Sequence, residues 1–534
     1  MSVIVRDVSL PVTVDVWRDQ EALREAAARA LGAPIETIGL VRVRKVSVDA
    51  RGKNPRRVVT AEVWRADEVA PAEPTPVLRR PPRMRSRAQA PIIVGSGPAG
   101  LWAALRCVEA GQPVVLLERG GALATRHGAV RGLRREGVLD PESNLCFGAG
   151  GAGTYSDGKL YTRRRDEEIR RVHEDLVAAG APRDIMIDAH PHVGTNQLIR
   201  ILDRLDHFLG DAGCDVRYGA KVVALLRTAK GEVAGVRLGD GTEIEGSAVV
   251  LATGHSARDV YGWLAELGVQ MARKPFAIGA RCEHPQPHID ALQYGVHAGQ
   301  PGLEPAEYFL TAQIGARGVY SFCMCPGGFV IPTSTELGRL NVNGMSNHRR
   351  GSDFGNAAIV VTLEPNDFWI ERPGDLDAYG PLAGVALQRH VEGLAFAAGG
   401  GGFRAPAQRL SDFLEKRAGD LPGRTSYRPG LTPADLRTVL PARVTDAMAR
   451  GVARFEQRMP GYVTREAILI GAETTTSSPV RIVRDEATLE APGFPGFFPA
   501  GEGAGMAGGI VSSALDGLRV AEAVLRRIGQ GDAV

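Results

Sequence analysis

Pro91-Ile-Ile-Val-Gly-Ser-Gly-Pro-Ala-Gly100 runs directly into Leu-Trp-Ala-Ala-Leu-Arg-Cys-Val-Glu-Ala-Gly-Gln-Pro-Val-Val-Leu-Leu-Glu118-Arg119. The stretch reads as a short buried strand over Ile92–Val94, a glycine-rich turn, a helix from Ala99 to about Ala110, and a second strand ending on an acid. Gly95 permits the tight turn, Gly97 lets backbone approach a pyrophosphate, and Gly100 lets the helix pack close to the sheet. Pro98 and Ala99 open the helix, whose N-terminus offers free N–H groups and a positive dipole end to phosphates. Glu118, about 20 residues beyond the glycines, stands where a carboxylate accepts from a ribose hydroxyl, with Arg119 beside it.

Around this unit the chain is long. Its 534 residues exceed what one hydrophobic core usually covers, so two or three domains are expected. No run of about 20 apolar residues occurs, so no transmembrane helix is expected. The first residues lack the charged and apolar regions of a secretory signal. Six cysteines in a chain of this length do not make a disulfide framework. A reducing cytoplasm is the expected compartment.

Upstream, residues 1–67 read as a small α+β module. Strands are expected at Val3–Val5 and Val12–Val16, a helix at Gln20–Leu31 ended by Gly32 and Pro34, and a hairpin from Leu40–Val48 and Arg57–Trp64. Residues 68–90 are rich in Pro, Ala and Arg and read as a linker. Residues 1–90 carry 17 Lys and Arg against 11 Asp and Glu, part of the excess lying in Arg79, Arg80, Arg83, Arg85 and Arg87. A solvated linker accounts for this; a contact for RNA or an acidic partner is the sharper alternative.

Downstream comes a loop-rich segment with Arg126, Asn144 and then Phe147-Gly-Ala-Gly-Gly-Ala-Gly-Thr-Tyr-Ser-Asp-Gly-Lys-Leu160. Such glycine density costs backbone entropy and is expected where backbone lies against a ligand, which nominates Gly151, Ser156 and Lys159. Residues 166–180 and 195–212 read as helices of an insertion spanning 166–214. His190 and His192 lie between them without the further ligands that a metal site needs. Asp215–Leu226, with Val223 a candidate cofactor contact, then Val233–Leu238 and Ala248–Ala252 read as strands. The last runs into Thr253-Gly254-His255-Ser-Ala-Arg258, a return of the chain toward the pyrophosphate. Residues 272–365 alternate as an antiparallel sheet does. Residues 377–460 read as mostly helical, with a loop at Gly399–Arg404.

The second strong signal is Pro499-Ala-Gly501-Glu502-Gly503-Ala-Gly505-Met-Ala-Gly508-Gly509-Ile510, followed by a helix over Val511–Ile528. A strand, a glycine-rich turn and a helix suit the flavin half of FAD. Glu502 can hold a ribityl hydroxyl. The N–H groups near Gly508, Gly509 and Ile510, at a helix N-terminus, can face the flavin and stabilise the anion formed on reduction. The two motifs bracket the chain. The cofactor domain is therefore expected from 91–165, 215–271 and 466–534, with a substrate domain of antiparallel sheet and helices inserted at 272–465.

By these motifs the chain resembles the glutathione-reductase-like FAD superfamily, and within it a poorly characterised family of FAD-dependent dehydrogenases. Asn144–Lys159, Pro191–Thr195, Ala252–Arg258, Glu283-His284, Cys323-Met-Cys-Pro-Gly-Gly328, Asn343–Ser346, Glu473–Arg481 and Gly501–Asp516 carry the likeness, which covers nearly the whole chain, the front module included. The family pattern has an acidic residue where Ala149 stands. The resemblance implies a Rossmann-type α/β fold and a non-covalent FAD that exchanges a hydride at N5 with a small organic substrate.

No CxxxxC follows the first motif, as a disulfide reductase would need. Cys323 and Cys325 form a CxC on an expected strand, where both side chains face the same way and a disulfide would be strained and reducible; packing or polar contact is the expected role, and a redox pair the alternative. No second GxGxxG for NAD(P)H occurs, so a nicotinamide reductant would visit transiently. His255, His284, His192 and His348 are the acid–base candidates, because an imidazole suits proton transfer coupled to hydride transfer. Arg258, Lys159 and Arg404 are candidates for an acidic substrate group or the pyrophosphate. The chain is thus expected to be a cytoplasmic FAD-dependent dehydrogenase or reductase. The alternatives are an NAD(P)H-dependent flavin monooxygenase and, in another class, a flavoprotein that docks RNA or protein through its basic front module.

Overall fold

The computed structural model describes residues 2–50, 54–81, 83–85, 90–162, 166–372 and 374–529. The centre is a five-stranded parallel sheet in the order Phe497–Pro499, Val249–Leu251, Ile92–Val94, Val115–Glu118, Asp215–Tyr218. Both faces are covered, which is why Ile92–Val94 and Val249–Leu251 read as unbroken apolar runs, whereas the edge strand Asp215–Tyr218 does not. Ile93, Leu116, Val250 and Phe498 pack against helices Pro98–Glu109, Thr195–Asp211 and Ile510–Arg527. Ile92, Val94, Leu117 and Val249 face helix Arg258–Glu266 and a meander of Val222–Arg227, Val233–Leu238 and Glu243–Glu245. The first and last helices of the cofactor motifs lie in contact: a Cβ on Gly517 would sit 2.0 Å from the carbonyl oxygen of Ala99.

A second sheet of seven strands runs in the order Thr311–Ile314, Arg317–Cys325, Phe354–Leu363, Phe276–Pro285, Ile468–Glu473, Ala405–Arg409, Leu431–Pro433. It is antiparallel except for its last pair. Helices Ala383–Gly399 and Ala442–Arg458 complete its core. Three expectations change here. Ile468–Glu473 pairs with Phe276–Pro285 rather than starting the last cofactor segment. Residues 405–409 and 431–433 are strands inside the region read as helical, recruited by pairing with a distant strand. The strand expected over Asp215–Leu226 breaks at Gly219, φ +68°, and its two halves join different sheets.

Residues 3–65 form a three-stranded antiparallel sheet in the order Val3–Pro11, Arg56–Arg65, Ile38–Asp49, covered by helix Gln20–Leu31. Asp19 caps the helix on the Ala22 N–H at 3.0 Å, and Gly32, φ +62°, ends it. The first strand continues to Pro11, and Val12–Val16 form turns rather than a strand. Arg51, Gly52, Lys53 and Arg87 lie outside the described residues. The module meets the remainder where Val46 donates to the Ile187 carbonyl and accepts from the Ala189 N–H, at 2.8 and 2.9 Å. No described helix is long and apolar enough to cross a membrane.

Candidate functional site

The C-terminal ends of the parallel strands open onto a cavity of about 400 Å³ whose far wall is made by strand Arg317–Cys325 of the seven-stranded sheet, the segment just after Ile468–Glu473, and strand Val342–Met345 of a small two-stranded sheet. Parallel α/β sheets bind ligands at this edge because the turns there expose helix N-termini. Gly95, Gly97, Pro98 and Ala99 line it. Gly97 caps helix Pro98–Glu109. A Cβ on Gly97 would point into open space, 3.9 Å from its nearest neighbour, the Gly151 Cα. A Cβ on Gly95 would meet the Ala252 carbonyl oxygen at 2.4 Å, and one on Gly100 the Gly95 oxygen at 1.8 Å. Gly97 thus leaves room for a ligand, whereas Gly95 and Gly100 allow the turn, strand and helix to touch; Gly100 itself does not line the cavity.

Glu118 and Arg119 reach the cavity, but both are engaged. One Glu118 oxygen accepts from the Ser96 N–H and hydroxyl, each at 2.9 Å, and the other from the Gly120 and Gly148 N–H groups at 3.0 and 2.8 Å. The carboxylate therefore ties the phosphate-type turn to the second glycine loop, and a ribose hydroxyl would share oxygens already occupied. Arg119 pairs with Glu142 and Asp259 at 2.7 and 2.9 Å and lies over Phe147.

Arg126 and Asn144 stand behind the cavity, not in it. The buried Arg126 guanidinium donates to the carbonyls of Asn144, Leu145, Gly148, Ala149 and Gly151 and to the Thr154 hydroxyl. Asn144 accepts from the Cys146 and Phe147 N–H groups at 2.9 and 3.2 Å. Together they fold the loop that presents Gly151 and Ser156 to the cavity. Ala149 is buried inside this network. Val223 is also outside; its neighbour Val222 is the lining residue.

The last glycine turn completes the site. Gly501, Glu502, Gly508, Gly509 and Ile510 line the cavity, as do Thr253, Gly254 and His255. Gly501, φ +71°, is fixed by donating its N–H to Asp516 at 2.7 Å, and Asp516 pairs with Arg484 at 2.6 Å. Gly509 caps helix Ile510–Arg527, so the first-turn donors that no helix can satisfy internally point at the cavity. Burial pushes the Glu502 carboxyl up to about 7, against the pull of Lys274. Burial, with Arg258 and Lys274 nearby, pushes His255 down to about 4. Its Nε2 lies 3.8 Å from a Glu502 oxygen, and its Nδ1 is buried with no hydrogen-bond partner. Two helix N-termini, an open glycine at Gly97 and an orphaned imidazole nitrogen on one cavity fit an FAD.

The other histidines stand apart from the cavity. His284 is fully buried on strand Phe276–Pro285 against the Tyr462 carbonyl at 2.8 Å, and burial pushes it down to about 4. His192 stacks on His348 with centroids 5.6 Å apart, and His348 Nδ1 meets the Val193 carbonyl at 3.0 Å. Arg258 donates two buried, side-by-side hydrogen bonds to the Glu392 carboxylate at 2.6 and 2.7 Å, and Arg404 donates to Leu431 and Thr432. Lys159 does line the cavity, where it donates to the Asp157 carboxylate and the Met324 carbonyl. Sequence reasoning missed the far wall: Phe322, Cys323, Asn343, Thr475 and Thr476. The run Thr474-Thr-Thr476 just beyond a buried strand was a signal for the last two.

Residues 91–144 match the family described as "FAD binding domain", residues 275–476 "FAD-dependent protein, C-terminal domain-like", and residues 4–64 a domain of unknown function. An uncharacterised protein of Clostridium beijerinckii is 42% identical over 441 residues, covering 82% of this chain and 81% of that one. The chain belongs to a family of FAD-dependent oxidoreductases. Solved structures similar to this family member include CtdE in complex with FAD, at 11% identity and TM-score 0.33, covering 83% of this chain and 86% of that chain. L-Amino acid deaminase from Proteus myxofaciens gives 13% and 0.33, covering 84% and 93%. A geranylgeranyl bacteriochlorophyll reductase-like protein from Thermoplasma acidophilum gives 12% and 0.36, covering 83% and 79%.

Proposed function

We propose that this protein moves a hydride between FAD and a small organic substrate held against the seven-stranded sheet. The observation that carries this is the continuity of one cavity from the Gly95–Ala99 turn, past Glu502 and Gly509, to Phe322 on the seven-stranded sheet and Asn343 on strand Val342–Met345, which packs beside it. When bound, FAD supplies the hydride donor or acceptor at its flavin N5. The chain's residues orient and polarise. The helix starting at Pro98 places about half a positive charge against phosphate, and the helix starting at Ile510 does the same where a reduced flavin would be negative. Glu502 is the residue that would hold a ribityl hydroxyl. His255, kept neutral by burial, has a free Nδ1 that can accept or donate one hydrogen bond at the same end.

The electrons come from a nicotinamide that visits the cavity transiently or from the substrate itself. Anaerobic absorbance spectra before and after adding NADPH or NADH separate these. Rapid bleaching of the flavin band identifies a nicotinamide reductant; a band that persists with both and bleaches with an organic donor identifies a dehydrogenase. Oxygen uptake with formation of an oxygenated product would replace hydride exchange with monooxygenation.

A further inference from the structure

We propose that Cys323 and Cys325 are a dithiol–disulfide pair that exchanges electrons with the flavin, Cys323 facing the cofactor and Cys325 its buried partner. The inference rests on the FAD reading above and adds a second redox centre to it.

On a regular strand the Cα atoms of residues i and i+2 lie about 6.6–6.8 Å apart, at the outer limit for a disulfide. Strand Arg317–Cys325 is not regular there. Phe322 faces Ala358 and Cys325 faces Asn356, so three steps on one strand oppose two on the other, and the extra residue is a bulge. Cys323 sits in it at φ +46°, a left-handed conformation that a residue with a side chain seldom adopts. Strain of this kind gathers where a side chain is being aimed. The bulge turns the Cys325 thiol back onto the backbone of Cys323, whose carbonyl it meets at 3.4 Å. The CxC is therefore not the flat pair that strand geometry predicts.

The charges around the pair are asymmetric. Arg281, anchored on Glu473 at 2.7 and 2.8 Å, donates to the Cys323 carbonyl at 2.9 Å. Lys159 donates to the next carbonyl, Met324. The hydrogen bond from Cys325, then Lys159 and Arg281, lower the Cys323 thiol against its burial; the pairing with Cys323 and burial raise Cys325. Of the two, Cys323 is therefore the thiol that ionises more readily and Cys325 the one that holds its proton, the order an attacking thiolate with a protonated partner requires. The contrast with the rest of the chain is clear: burial pushes Cys107 and Cys282 up to about 12 and raises Cys146. Cys323 is half-buried and lines the same cavity as Gly509 and Ile510, whereas Cys325 is fully buried.

The step balances. A Cys323 thiolate and a Cys325 thiol carry one proton between them. Forming the Sγ–Sγ bond releases that proton and two electrons, and oxidised FAD takes up all three to become the reduced anion. The reverse reduces the disulfide and reoxidises the flavin.

The test is an anaerobic reductive titration of the oxidised holoenzyme, with peptide mapping of the 317–328 segment. The wild type should take up two electrons more per flavin than Cys323→Ser or Cys325→Ser. Its oxidised peptide should carry a Cys323–Cys325 bond that reduction removes. Cys325→Ser should in addition show a long-wavelength absorbance band from the Cys323 thiolate against the oxidised flavin, lost on acidification. Equal electron uptake by wild type and variants, with two alkylatable thiols in the oxidised wild-type peptide, overturns the pair while leaving the FAD reading intact. Colourless protein that refuses added FAD overturns both. The mapping uses wild-type protein, so it decides the matter even where a variant fails to fold.

Discussion

Gly97 and Gly95 sit two residues apart and do different things. A side chain at Gly97 enters the cavity, whereas one at Gly95 enters the backbone of Ala252. Gly97→Leu should therefore fold with near-native thermal stability and purify without flavin. Gly95→Leu should lose stability as well, by about 2 kcal/mol or more, because the neighbouring strand must move. Visible absorbance and thermal denaturation of the two variants check this; a fully flavinated Gly97→Leu would contradict it. Glu502 gives a pH signature. Burial raises its pKa from 4.5 to about 7, so between those values the folded apoprotein holds a proton that the unfolded chain has released. That contribution is fully present below the unfolded value and is lost as pH rises through about 7. Glu502→Gln should flatten the decline and, in flavin-free protein, add roughly 1–2 kcal/mol relative to wild type at about pH 8. Urea unfolding at about pH 5 and pH 8 measures it.

At the scale of elements, one arginine folds a loop. Arg126 satisfies five carbonyls and a hydroxyl between Asn144 and Thr154. Buried acceptors left without donors each cost about 1–3 kcal/mol, so Arg126→Ala should lose about 3 kcal/mol or more and release flavin as the Gly151 loop detaches. Arg126→Lys, with three donors for six acceptors, should recover part of the stability only. Thermal denaturation and flavin content of both variants test this, and an unaltered melting temperature for Arg126→Ala would refute it. The same loop separates what is legible in the sequence from what is not. The two glycine turns are legible, because close approach of backbone to backbone or ligand demands glycine and the sequence displays it. Arg126 and Asn144 are legible as important but not as loop-formers, because a polar residue near a glycine run looks the same whether it binds ligand or backbone. The bulge at Cys323 carries no Gly or Pro to announce it. His284 and His192 are misplaced by sequence reasoning because burial depends on partners more than a hundred residues away, Tyr462 and His348.

At the scale of the molecule, the cofactor sheet and the substrate-side sheet are interleaved along the chain, and long-range pairing decides which strand goes where. Ile468–Glu473 is buried at every position, like Ile92–Val94 and Val249–Leu251 of the parallel sheet, yet it pairs into the second sheet. The front module is joined through a small patch, and none of its described residues lines the cavity. A chain beginning at residue 68 should therefore retain FAD and its absorbance spectrum. Loss of flavin from that chain would give the module a part in the site that its placement does not suggest. If residues 1–67 dock a nucleic acid or protein, that function and flavin binding should separate in the same variant. Hydride exchange and the dithiol step both require the cofactor, so the decisive experiment is the flavin content of the purified wild-type protein, by visible spectrum and by identification of the material released on heating. The protein should be yellow and carry stoichiometric, non-covalent FAD that dithionite bleaches without displacing it. A colourless protein that acquires no flavin spectrum when incubated with excess FAD would mean that the cavity between the two sheets is not a flavin site.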